Sequence, residues 1–204
     1  MPTKTELRRL PRQLRGRRRV DALLTAAAAE FSGVGYDAAT MSSIATRAGA
    51  SIGSLYQFFP NKVAVVQALR SHYCDEFERM WAPIGAEAKR ISSQELVDRL
   101  VNSTVVFVER HPAFLALLDA PASMHLSAQA RGRFQRLLAT FLLARRPRMS
   151  PGKALRIATM MLQMIKAMNF LYRDLSPRER RPYVREFNIL LHRYLEGQVE
   201  HPIR

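Results

Sequence analysis

The sequence predicts an all-α chain of about nine helices, with a small N-terminal three-helix head carrying a helix-turn-helix and a larger helical body after it. Three observations predict it. Apolar residues recur near one-turn spacing through most of the chain, and no segment alternates with the two-residue period of a half-buried strand. Proline and glycine interrupt that pattern at intervals suited to helix ends. The stretch from Thr40 to Lys62, TMSSIATRAGASIGSLYQFFPNK, puts small, capping and turn residues where two short crossing helices need them.

Each element follows from its residues. Val20, Leu23, Leu24, Ala27 and Phe31 mark the first helix. Thr40 caps a second, whose inward side carries Ile44, Ala45 and Ala48, and Gly49 supplies the permissive backbone for a sharp exit. Ala45 is small because helices joined by so short a turn pass close together. Ser51 caps the third helix, with Leu55 and Phe59 facing the same core. Asn61 caps a fourth running to about Trp81, with Val65, Leu69, Tyr73 and Phe77 inward, and Pro83 and Gly85 then mark the passage from head to body. Further helices are expected at 94–110, 112–119, 127–144, 151–173 and 177–198, separated at His111-Pro112, Pro121, Pro147 and Ser176-Pro177.

Burying Leu55 and Phe59 turns Ile52, Gly53, Ser54, Tyr56 and Gln57 outward at the start of a short helix, a mixed polar and aromatic face suited to a DNA major groove. Gln57 has the carboxamide that pairs with adenine, and Ile52 offers an apolar contact to a thymine methyl. Lys62 sits in the first turn of the fourth helix, where a cation opposes the helix dipole. A docked phosphate reverses that sign; a solvated lysine tolerated at small cost is the other reading.

Residues 17 to about 77 resemble the DNA-binding head of the tetracycline-repressor (TetR) family of bacterial transcription regulators. The motifs that carry the resemblance are Gly35-Tyr36, Thr40, Ile44-Ala45, Ala48-Gly49, Ser51, Gly53, Leu55-Tyr56, Phe58-Phe59 and Lys62. Two positions depart from the family pattern. Ile52 stands where many relatives carry a polar or basic side chain, and Phe58 replaces a frequent histidine, so no phosphate contact is assigned to Phe58. The resemblance implies DNA contacts at Thr40, Ser51, Gly53, Ser54, Tyr56, Gln57 and Lys62, with hydroxyls and a close backbone on phosphate oxygens. It divides the chain into a basic arm (1–16), a helix-turn-helix domain (17–77, motif at 40–59) and an effector-binding and dimerisation body (82–200).

Composition agrees. A net charge of +15 favours a polyanionic partner, nucleic acid and an acidic membrane surface being equally allowed by charge alone. Residues 1–19 hold Lys4, Arg8, Arg9, Arg12, Arg15, Arg17, Arg18 and Arg19 against Glu6, which reads as an arm disordered when free. It is either a solvated tail or a segment drawn along phosphates into an adjacent minor groove. The single Cys74 excludes an intramolecular disulfide and a Cys-rich zinc site. No apolar run is long enough to span a bilayer and no secretory signal precedes the head, so a cytoplasmic protein without a membrane role is expected.

Only a narrow stripe of the 151–173 helix is polar: Arg156, Thr159, Gln163, Lys166, Asn169 and Arg173. The last helix has an apolar stripe of Phe187, Leu190, Leu191, Tyr194 and Leu195. The two helices either pack within one chain or form a four-helix contact across a two-fold axis. The resemblance implies the homodimer, through about 151–173 and 177–198. Phe107, Phe114, Met124, Phe141, Met164 and Met168 are candidates to line an adaptable apolar pocket, or else fill a core. By resemblance the body binds a small, often apolar effector that weakens DNA binding, as in a repressor of a palindromic operator.

No phosphate loop, nucleophile elbow, dinucleotide fingerprint or convergent metal-ligand set is present in the sequence, so no enzyme, cofactor or metal is expected. Two other readings remain open: a basic helical protein binding DNA or acidic membrane without sequence choice, and a helical enzyme fused to a DNA-binding head.

Overall fold

A computed structural model describes residues 14–117 and 128–199, and all regular structure among them is helical. The order is α1 (Leu14–Ala38), α2 (Met41–Arg47), α3 (Ile52–Phe58), α4 (Lys62–Glu87), α5 (Ser93–Arg110), α6 (Pro112–Ala116), α7 (Ala128–Arg145), α8 (Pro151–Asp174) and α9 (Pro177–Val199). Most of the basic arm, together with Met124 and His125, lies outside the described residues.

Two compact units divide the chain: Met1–Tyr73 with His111–Leu126, and Cys74–Arg110 with Ser127–Arg204. In the first unit, the one-turn spacing of α1 puts Leu23, Leu24, Ala27 and Phe31 into a core shared with Ile44, Ala45, Leu55 and Phe59, and all are buried. Each large side chain removed from water there contributes about 1.5–3 kcal/mol. The short α6 packs on α1. Tyr73 holds it, meeting the rings of His111 (5.2 Å) and Phe114 (6.0 Å), and the Arg70 guanidinium donates to the Leu117 carbonyl. Residues 111–117 group with the first unit, where the rings of Tyr73, His111 and Phe114 meet. A break in α1 also escaped the periodicity: Gly35 adopts φ 78°, ψ 171°, and one further turn follows it to Ala38.

The second unit centres on aromatic packing. Phe77 lies 3.8 Å from Phe107 between ring centroids and edge-on to Trp81 and Phe134, while the Trp81 indole N–H donates to Ser103 Oγ at 3.0 Å. Arg145 fastens the end of α7, donating to the carbonyls of Ala88 (2.9 Å) and Ile91 and to Ser93 Oγ (2.8 Å). α8 packs on α7 and α9, and α9 on α5. Leu191 and Leu195 are buried by these contacts, whereas Met160 (48% exposed) and Leu171 on α8, and Tyr183 and Leu190 (51% exposed) on α9, face outward.

The expected stop of the fourth helix near Trp81 is corrected: α4 continues through Pro83 to Glu87. Pro83 forfeits one helical hydrogen bond, but Trp81, Ile84 and Ala88 are buried along the same stretch and hold it. Nor does Gly85 act as a breaker. A Cβ there would come within 2.1 Å of Phe141 Cε1, so the glycine permits a close helix–ring approach. Gly85→Ala should therefore lower stability by about 1–2 kcal/mol despite the better helix propensity of alanine, because the buried Phe141 ring has little room to retreat. Urea unfolding checks the sign, and a stabilised variant would contradict the packing.

Candidate nucleic-acid interface

The helix-turn-helix is built by local hydrogen bonds. Thr40 Oγ1 accepts the Ser43 N–H (3.0 Å) while Ser43 Oγ accepts the Thr40 N–H (3.0 Å), a reciprocal box that starts α2. Gly49, at φ 58°, turns the chain. Ser51 Oγ then accepts the Ser54 N–H (3.2 Å) and starts α3. Because Leu55 and Phe59 are fully buried, the rest of this seven-residue helix has one orientation open to it.

Most of the residues expected on the outer side of α3 are open to solvent. Ile52 (42%) and Tyr56 (47%) are exposed large side chains, Ser51, Gly53 and Gln57 are exposed, and Ser54 is half-buried. A Cβ built on Gly53 meets nothing within 4 Å, so the free protein itself does not require glycine there. Thr40 is exposed at the start of α2. Phe58 is half-buried behind the face.

Two ties orient the motif, neither legible in the sequence because the partners lie far apart along it. Arg47 Nε on α2 donates to Glu30 Oε2 on α1 (2.7 Å). That guanidinium, helped by the Ser43 hydroxyl, holds the Glu30 carboxyl below the ordinary carboxylate range. Its contribution is present above that range and is lost as pH falls through the lowered folded value. The second tie is Lys62. Its ammonium donates to the carbonyls of Tyr36 (2.7 Å), Asp37 (3.1 Å) and Ala39 (2.8 Å) and lies 4.3 Å from the centre of the Tyr36 ring. All three N–H donors of that side chain are engaged, so the expected Lys62–phosphate contact meets a cation already committed to carbonyl oxygens. Asn61 caps α4 as expected, its Oδ1 accepting the Ala64 N–H at 2.9 Å.

The candidate effector residues fall in both units. Phe107, Phe141 and Met168 are buried in the second unit, where Met164 is half-buried; Phe114 is half-buried in the first, and Met124 lies outside the described residues. Asn169 departs from the expected polar stripe of α8. It is 5% exposed, in the inner row with Ile165, Met168 and Tyr172, and its Oδ1 has no hydrogen-bond partner among the described residues. Among the described residues no helix is long and apolar enough to cross a membrane, and no three metal-ligating side chains converge.

Comparison with known proteins accords with this geometry. Residues 23–69 match the model for bacterial regulatory proteins of the tetR family. Residues 94–195, half of the chain, match the tetracyclin repressor-like C-terminal domain. No curated protein matches the sequence. Several solved structures share the fold. A TetR-family transcriptional regulator from Streptomyces coelicolor superposes with a TM-score of 0.68 at 23% identity, over 89% of this chain and 99% of that one. The fatty acid degradation regulator FadR from Bacillus halodurans gives 0.65 at 17% identity, over 90% and 97%. A transcriptional regulator from Pseudomonas aeruginosa PAO1 gives 0.65 at 15% identity, over 94% and 98%. With residues 23–69 matched by the one model and residues 94–195 by the other, the chain belongs to the TetR family of DNA-binding transcriptional regulators.

Proposed function

We propose that this regulator is a homodimeric repressor that binds a palindromic operator and is released by a small, apolar effector. The observation that carries the DNA reading is the α3 face: Ile52 and Tyr56 stand in water on a helix whose other side is fully buried. Large apolar groups left exposed beside Ser51, Gly53 and Gln57 suit base edges and a thymine methyl better than solvent. Thr40, Ser51 and Ser54 offer hydroxyls for phosphate oxygens.

Dimerisation is supported by the outer faces of α8 and α9. Met160, Met164, Ala167 and Leu171 recur at one-turn spacing on α8, as do Tyr183, Phe187, Leu190 and Tyr194 on α9, and each is exposed or half-buried. Two copies of that surface form a four-helix contact with two-fold symmetry. The effector reading draws on Asn169. A buried carboxamide oxygen without a donor is costly, and a ligand bearing an N–H or O–H satisfies it beside the adaptable Met168. Binding is then coupled reciprocally, effector weakening DNA affinity by the factor that DNA weakens effector affinity.

Selection of bound duplexes from a random pool tests the proposal. It should enrich one inverted repeat whose half-sites lie about 10 base pairs, or a multiple of that turn, apart. A pool that emerges without sequence preference would instead mark a protein that coats DNA through charge.

A further inference from the structure

We propose that Lys62 is a positioning residue that clasps the two ends of the helix-turn-helix together, and that it acts on DNA through the motif rather than by touching a phosphate. The geometry lies in the first unit. After the break at Gly35 the chain makes one last turn of α1, and the carbonyls of Tyr36, Asp37 and Ala39 have passed the helical ladder that would have used them. The single ammonium of Lys62, at the first residue of α4, takes all three at 2.7–3.1 Å. Ala39 immediately precedes Thr40, the cap of α2, and Lys62 follows closely on Phe59, the cap of α3. One side chain thus joins the peptide entering the motif to the helix leaving it.

The chemistry favours a clasp over a phosphate ligand. An ammonium has three donors, and here three carbonyls at a helix end, where the dipole is negative, use them while the Tyr36 ring covers one side. A phosphate would have to displace a carbonyl and leave it without a partner. Arginine cannot replace the clasp, since a planar fork does not converge three N–H groups on carbonyls around one point.

Amine acetylation followed by mass spectrometry on the unmodified protein tests the placement directly. Lys62 should label about tenfold or more slowly than the exposed Lys89 and Lys166 in the free protein, and adding the selected operator duplex should protect it no further. Labelling as fast as Lys89, with protection appearing only on DNA, overturns the proposal. This arm is independent of the operator reading, because the free protein alone decides it.

The second arm rests on the proposed operator binding and reads affinity against salt. Lys62→Met should weaken operator binding about tenfold or more while leaving the slope of log K against log salt unchanged, and Lys62→Arg should not restore affinity. A slope reduced by about one per protomer, rescued by Lys62→Arg, is the signature of a phosphate contact and refutes the clasp. Should Lys62→Met fail to fold, the labelling experiment and Lys62→Arg still decide. If wild type shows no preferred duplex at all, the operator reading fails while the labelling result on Lys62 stands.

Discussion

Replacing Leu190 by Arg should leave each protomer folded yet halve the molecular mass in light scattering and cut operator affinity by about 10²–10⁴-fold. The side chain is 51% exposed on α9 and supports no core of its own, so the protomer loses little. In the proposed dimer it lies with Tyr183, Phe187 and Tyr194 on a face that meets its own copy. Two-fold symmetry then brings a pair of charges into an apolar contact with nothing to neutralise either. The operator loss follows without any change at α3. One head alone engages a half-site weakly, whereas two linked heads bind the second half-site at high effective concentration. A variant that stays dimeric would place the contact elsewhere; one that becomes monomeric yet keeps full operator affinity would separate dimerisation from DNA reading.

Tyr56→Ala should lower operator affinity by roughly 2–6 kcal/mol across the two heads, at about 1–3 kcal/mol for each lost base contact, without altering helicity or mass. Nothing in the first unit's core rests on this ring, which is 47% exposed. Gly53→Ala completes the comparison. Because a Cβ there meets nothing in the free protein, alanine should stabilise the helix by up to about 1 kcal/mol, the opposite of its effect at Gly85. If DNA backbone closes on Gly53, the same methyl weakens operator binding. Stability and affinity then move in opposite directions, a pattern that no loss of fold can imitate. Unchanged operator affinity in both variants would remove α3 from the interface.

The head was largely legible because its signals are local. Thr40, Ser51 and Asn61 are capping residues within three positions of the N–H groups they accept, Gly49 takes the backbone angle only glycine adopts cheaply, and Leu55 and Phe59 fix which side of α3 is left over. What escaped depends on distance along the chain. The Glu30–Arg47 pair and the Lys62 carbonyl set join residues 17 to 26 positions apart, and no periodicity announces them. Gly85 looked like a helix breaker because the ring that requires it, Phe141, arrives from α7. Asn169 looked solvent-facing because a polar residue spaced three or four from other polar residues reads as part of their stripe, yet its angular position puts it beside Ile165 and Tyr172. The effector candidates were the least legible, since Phe and Met side chains have the same pattern whether they line a pocket or fill a core.

The central claim is that α3 reads sequence. Its most direct measurement is fluorescence anisotropy of the wild-type protein on the selected inverted repeat and on a scrambled duplex of equal length, at the same near-physiological salt. The predicted result is a dissociation constant about 10³-fold or more tighter for the repeat. Equal affinity for the two duplexes, falling together as salt is raised, would contradict it.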